Sequence, residues 1–216
     1  MQNEEKENTK TSSSKLAEEF YNKIVNLHHE EFNYDLIHYK DWLDSLIVLL
    51  QKGSKILDLG CGNGRAIKYF IDRGFRGVGI DLSEKMLKLA RENVPKGEFY
   101  KKDFTKLDFE NDSFDAIISF FALNHIEKKK CKQVISKCKN ILKKEGFLLL
   151  GMVRGRFDGY FEGFYGQKMQ LYGAGYTKDE LFDMLISENY KILKSEIRHF
   201  KGKYFEEDQI FILAKK

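Results

Sequence analysis

Lys55–Gly64, KILDLGCGNG, reads as a short buried strand running into a glycine-rich turn. Ile56, Leu57 and Leu59 make a compact apolar run, and Gly60, Gly62 and Gly64 follow at alternate positions. Helix-forming sequence, Arg65–Arg73, begins at once. Glycines at such a place let the backbone take positive φ and let a ligand approach the main chain closely. The turn therefore predicts a nucleotide-like ligand. Its charge narrows the choice. A dinucleotide turn needs G-x-G-x-x-G, so that pyrophosphate can rest on the helix N-terminus. Here the third glycine comes early and Arg65 stands where that pattern wants glycine. Asp58, at the strand end, would repel an anionic cofactor and suit one carrying an ammonium or a sulfonium. No Lys followed by Ser or Thr comes after Gly64, so a P-loop is excluded.

Outward from this turn, strands and helices alternate. Gly74 is placed to follow the first helix as its C′ residue, and Arg76–Asp81 is a second strand. Ser83 is positioned to N-cap a helix over Glu84–Asn93. A third strand spans Glu98–Lys101 and a fourth Phe114–Phe120. A basic helix near Lys129–Lys143 stops at Gly146, before a fifth strand over Phe147–Val153. The alternation predicts a parallel sheet with helices on both faces. After a glycine- and aromatic-rich insertion, Arg154–Tyr176, Thr177 and Glu180 form a capping box for a helix over Lys178–Ser187. Lys191–Phe200 and Asp208–Ala214 then read as a hairpin around Gly202. Before the first strand, Leu16, Phe20, Ile24 and Leu27 recur at helical spacing from Lys15, and a second helix is expected over Tyr34–Gln51. Residues 15–51 thus form a helical cap, and the polar stretch 1–14 reads as a disordered tail. One domain over residues 15–216 accounts for the whole pattern.

Composition sets outer bounds. The 216 residues are 42% hydrophobic and 32% charged, which suits an α/β domain with a substantial core. No apolar run approaches the roughly 20 residues that span a bilayer, and the N-terminus lacks the apolar stretch of a secretory signal. Cys61, Cys131 and Cys138 make neither a disulfide framework nor a metal-ligand pair. A cytoplasmic location is expected. A net charge of +4, from 37 basic and 33 acidic residues, is too small an excess to imply nucleic acid.

Ligands of open α/β sheets bind outside the carboxyl ends of the strands. Three successive strand ends here carry an acid: Asp58, Asp81 and Asp103. Asp81 is placed to accept both hydroxyls of a ribose. Asp103 is placed to accept from an adenine amine, with Phe104 supplying a backbone N–H. A lone acid at a βα turn is commonly only a cap. Three in register with a glycine turn specify a nucleoside.

These pieces resemble the class I S-adenosylmethionine-dependent methyltransferases: ILDLGCGNG at Ile56–Gly64, GIDLS at Gly79–Ser83, KKDFTKLDF at Lys101–Phe109, FDAIISFFALNHI at Phe114–Ile126 and EGFLLLG at Glu145–Gly151. The resemblance spans about Gly53–Met152. It implies a Rossmann-like, seven-stranded, mostly parallel sheet with an antiparallel last strand. It implies S-adenosylmethionine as cofactor, with S-adenosylhomocysteine as product. Gly60, Cys61, Gly62 and Asn63 would hold the methionine portion near Asp58, and Asp81 the ribose. Leu82 and Met86 would pack near the adenine, which Asp103 and Phe104 contact, and Ser119 and Phe120 would flank the methionine end.

A cofactor that carries the hard chemistry leaves the protein to position and desolvate, so no strict catalytic motif is needed. His125, after the fourth strand, is either a general base or a residue that orients its loop. Tyr21, Tyr34 and Tyr39 either close over the cofactor or pack. Arg154–Tyr176 is either an aromatic lid, with Arg154 or Arg156 gripping an acidic acceptor, or filler against the sheet. The lysines between Lys128 and Lys144 form either a solvated face or a track for RNA. The expected function is methyl transfer to O, N or C of a small molecule. The alternatives are an RNA methyltransferase and a non-catalytic cofactor-binding protein. Pro95, the single proline, excludes an N-P-P-Y motif and a Pro-Cys nucleophile.

Overall fold

The computed structural model describes residues 12–31 and 38–216. Helix α1 spans Ser13–Glu31, and α2 spans Lys40–Ile47. Strands β1 (Lys55–Leu59), β2 (Arg76–Asp81), β3 (Glu98–Lys101) and β4 (Phe114–Phe120) alternate with α3 (Arg65–Ile71), α4 (Glu84–Asn93) and α5 (Lys128–Ile141). After β5 (Leu142–Val153) come β6 (Asp158–Glu162), β7 (Gln170–Ala174), α6 (Lys178–Ser187), β8 (Lys191–Lys201) and β9 (Glu206–Lys215). Seven strands form one sheet in the order β3-β2-β1-β4-β5-β9-β8. The first five are parallel, and β9 runs antiparallel between β5 and β8.

Strand periodicity divides the core. Leu57, Leu59, Ile117, Leu148 and Leu150 face α5 and α6. Their neighbours Ile56, Ala116, Ile118 and Leu149 face α2 and α3, where Trp42 and Phe70 are fully buried. Both faces are therefore apolar, as a covered parallel sheet requires. A further core lies over the β8 edge of the sheet: Ala17, Phe20 and Ile24 of α1 pack on Tyr165 and Leu171, with Phe200 of β8 against them.

Five sequence expectations need adjustment. Helix α2 ends at Ile47, not Gln51, because Leu49 and Leu50 bond back only three residues, to Leu46 and Ile47. Val48 and Leu49 consequently point outward, at 79% and 44% exposure. The expected cap also divides: α2 packs on the sheet, and only α1 crosses its carboxyl edge. Strand β5 starts at Leu142 rather than Phe147, taking up the extra residues through a left-handed Glu145 (φ 65) and a register shift opposite Phe114–Ala116. The 154–176 insertion is a two-stranded antiparallel hairpin, β6–β7, whose connection uses positive φ at Gly163 and Gly166. Helix α1 begins two residues before the expected Lys15. The rest of the tail, the start of the second expected helix and Tyr34 lie outside the described residues.

Candidate functional site

A cavity of about 940 Å³ opens at the carboxyl edge of the sheet. Its floor is local in sequence. Gly60 and Cys61 both donate to the carbonyl of Ile80, at 2.8 and 3.0 Å, which folds the turn across the end of β2. Gly60 has φ 75, and a Cβ there would lie 2.2 Å from that of Ala122, so this position requires glycine. Asp81 closes the floor: Oδ2 accepts from Gly62 N at 2.9 Å and Oδ1 from Ser83 N at 2.8 Å. Ser83 caps α4 by accepting from Met86 N. Leu82, Met86, Phe104 and Phe120 line the cavity beside them.

The floor's charges are unusual for buried groups. Asp58, 4% exposed, is pushed up to about 8 by burial and by the negative charge of Asp81, with Arg65 opposing. Burial likewise raises Asp81 against the three backbone N–H groups that favour its charged form. Arg65 is 7% exposed, lines the cavity and donates to the Tyr39 hydroxyl at 3.3 Å. Tyr39 stacks on Phe120 with centroids 3.8 Å apart. Around Arg65 the imidazoles are held neutral: burial and then the guanidinium lower His28 to about 3 and His38 to about 4. Asn63 is buried with its Nδ2 unpaired among the described residues. An unpaired amide donor and a guanidinium on one wall fit a carboxylate.

The roof is assembled from distant segments. His125 Nδ1 lies 3.0 Å from the Tyr172 carbonyl and therefore carries the proton, so Nε2 accepts from the Tyr21 hydroxyl at 2.7 Å. Burial lowers the His125 pKa, which keeps the ring neutral. Asn124, next in the same turn, donates to the Ala174 carbonyl at 2.6 Å and accepts from Val153 N at 3.2 Å. The Asn124–His125 pair thereby clamps β7 to the sheet. On the other side α1 is tied down by Ser83 to Asn22 at 2.8 Å and Lys101 to Glu18 at 2.6 Å. Phe157, Phe161, Phe164 and Tyr165 of the insertion line the cavity, with Phe205 from the β8–β9 connection.

Of the residues expected from sequence, Asp58, Gly60, Cys61, Gly62, Asn63, Asp81, Leu82, Met86, Phe104, Phe120 and His125 all line this one cavity. Asp103 and Ser119 do not. Asp103 Oδ1 accepts from Thr105 N and Oγ1, at 2.8 and 2.7 Å, and caps a short 3-10 turn. Ser119 is buried and donates to the Leu59 carbonyl at 3.0 Å, joining β4 to β1. Arg154 lines the cavity, with its guanidinium paired with Asp208 at 2.9 Å. Arg156 lines a separate small surface cleft. The lysines of α5 are largely engaged, Lys128 with Glu180, Lys130 with Glu127, Lys137 with the Thr105 carbonyl and Lys139 with the Glu188 carbonyl, and Lys143 at the start of β5 pairs with Asp115. Sequence reasoning passed over Arg65, Asn124 and Glu207 as cavity or clamp residues. A charged residue at the start of an otherwise apolar helix face was the one available signal, for Arg65.

Residues 56–146 match the family described as a methyltransferase domain. An uncharacterized methyltransferase of Synechocystis sp. is 33% identical over 101 residues, covering 47% of this chain and 48% of its own length. The chain spans about half the length of the curated relatives it matches. Magnesium protoporphyrin IX methyltransferase from Synechocystis superposes with a TM-score of 0.76 at 14% identity, covering 97% of this chain and 99% of that one. The 1,6-didemethyltoxoflavin-N1-methyltransferase of Burkholderia thailandensis superposes at 0.71 with 16% identity, covering 94% and 88%. These likenesses show the fold. No helix among the described residues is long and apolar enough to cross a membrane.

Proposed function

We propose that this chain, whose residues 56–146 match a methyltransferase domain, is a class I S-adenosylmethionine-dependent methyltransferase and transfers a methyl group to a small-molecule acceptor. One observation carries the small-molecule reading: α1 and the β6–β7 hairpin roof the cavity, leaving a chamber of about 940 Å³. A partly roofed cleft of that volume accommodates a cofactor and a compact acceptor. The engaged lysines of α5 weigh against an RNA track. The two solved relatives named above act, by their names, on small molecules.

The floor residues fit the cofactor. Asp81 would take the ribose hydroxyls, Arg65 and Asn63 Nδ2 the methionine carboxylate, and Asp58 the cationic end. Gly60 lets the chain come close because no side chain intervenes. Leu82, Met86 and Phe104 would enclose the adenine, and Asp103, placed beyond the cavity wall, would reach it only at its rim. S-adenosylmethionine, when bound, supplies a methyl group on a sulfonium. The protein's own part is to hold the acceptor in line and to exclude water. Where the acceptor atom loses a proton, Tyr21 takes it while passing its own to His125 Nε2. The neutral state of His125 keeps that nitrogen available.

Calorimetric titration with S-adenosylhomocysteine tests the floor. Binding in the micromolar range is expected, and no binding would overturn the reading. Incubation with methyl-labelled S-adenosylmethionine and fractionated small metabolites tests the acceptor. Label in a compound below about 1 kDa supports the proposal, and label confined to RNA replaces it.

A further inference from the structure

The roofed end of the cavity has an uneven charge distribution. Arg154, the cation that lines it, is committed to Asp208. Glu206 and Asp208 are both met by His199, at 3.1 and 3.0 Å, on the exposed side of the hairpin. Asp158 accepts from the Tyr172 hydroxyl. Glu207 differs from all of these. It lines the cavity, is half-buried, and meets no cation within ion-pair distance among the described residues. Its one hydrogen bond comes from Gln209 Nε2, at 2.9 Å, and Gln209 is itself 1% exposed. That amide fixes the carboxylate without neutralising it. Burial alone raises the Glu207 pKa, with only this amide opposing.

A half-buried carboxylate with no countercharge is partly desolvated at a cost, and the cost falls when a ligand supplies the cation. The surrounding surface suits the same ligand. Phe205 precedes Glu207 by two residues, and its ring lies 5.3 Å from Phe164 and 5.7 Å from Tyr165. Tyr21, whose hydroxyl is bonded to His125, lies in the field of both Asp81 and Glu207. Aromatic faces attract ammonium groups within about 6 Å. The buried cation of the cavity, Arg65, acts on Asp58, where it would serve the cofactor, and is not among the groups that act on Glu207.

We propose that the acceptor is a small molecule bearing a protonated amine, paired with Glu207 and enclosed by Tyr21, Phe164, Tyr165 and Phe205. This assignment rests on the methyltransferase reading for its meaning, but its chemistry is tested by binding alone. The probes are phenethylamine and phenylacetate, which share a ring and differ in the sign of their charge. Each is titrated calorimetrically into the protein with and without saturating S-adenosylhomocysteine. Phenethylamine is expected to bind at least tenfold more tightly than phenylacetate. Glu207→Gln is expected to lower amine affinity tenfold or more and to leave S-adenosylhomocysteine affinity within twofold. Glu206→Gln, at a carboxylate already paired outside, is expected to change neither. Equal or tighter binding of phenylacetate, no binding of phenethylamine, or an unchanged amine affinity in Glu207→Gln overturns the assignment. Amine binding without S-adenosylhomocysteine binding would instead overturn the cofactor reading and keep the amine site.

Discussion

The floor and the roof of the cavity are built by opposite rules. Every floor contact joins a strand end to the turn beside it, as when Gly62 donates to Asp81 only 19 residues away. Roof contacts join segments far apart in the chain: Tyr21 meets His125 across 104 residues, and Asn124 meets Ala174 across 50. The floor presents acids, a guanidinium and an amide, whereas the roof presents mostly aromatic rings. On the proposed reading, recognition of the cofactor falls where contacts are local, and choice of acceptor falls where tertiary packing holds the shape.

The largest expected effect breaks the roof at its hinge with the floor. His125→Ala should lower turnover by roughly 10²–10⁴-fold if the ring accepts the proton, while S-adenosylhomocysteine affinity stays within about threefold. A merely clamping histidine would instead give parallel losses of thermal stability and both affinities, with turnover per bound complex unchanged. Tyr21→Phe, which removes the donor to Nε2, should produce a smaller loss of the same kind.

Next comes the floor alone. Gly60→Ala forces a Cβ into contact with Ala122 at positive φ. It should reduce cofactor affinity by about 100-fold and stability by about 3 kcal/mol. Retention of affinity in calorimetry would show that the turn adapts, and the contrast between rigid floor and packed roof would weaken. Asp81→Ala should cost about 1–3 kcal/mol of S-adenosylhomocysteine binding, the range of lost charge-assisted hydrogen bonds. Phenethylamine affinity is the comparison, expected to fall less than S-adenosylhomocysteine affinity, because Glu207 remains although Tyr21 also lies in the field of Asp81.

The contrast between the two regions also explains what the sequence disclosed. The floor was legible because strand, glycine turn and acid follow one another within a few residues, and eleven of the thirteen expected site residues line the cavity. Asp103 and Ser119 do not line the cavity, because a strand-end polar side chain can as well bond a nearby backbone group, as Asp103 does with Thr105 N and Ser119 with the Leu59 carbonyl. The roof was not legible. In residues 158–174 the aromatics fall on both faces of the hairpin, which hides the alternation that marks a strand. Glu207 looked like one of several acids in a charged run, and only its burial beside Gln209 sets it apart.

The smallest effect is a slope in stability against pH. Asp58 sits at about 8 in the folded chain, against an ordinary value near 4 when unfolded. Between these values the folded state holds a proton that the unfolded state has released, so stability falls as pH rises. The lowered His28 and His38 act in the opposite sense, but only below about 6.5, where the unfolded chain takes up protons. From pH 6.5 to 8, Asp58→Asn should therefore flatten the slope by at most about 1.4 kcal/mol per pH unit. Urea titrations of both proteins measure this, and their difference cancels the contribution of the exposed His199 pair. Identical slopes would remove Asp58 as the titrating group.

The separate core beneath the roof has a consequence for inheritance. Phe20, Ile24, Tyr165 and Leu171 pack on one another and touch the sheet through Phe200 at its β8 edge, and all four lie outside the stretch that matches the methyltransferase family. Drift at these positions can reshape the chamber while the sheet goes on folding from its own cores. A lineage built this way can exchange one diet for another by ordinary point substitutions, keeping an ancestral socket for the methyl donor.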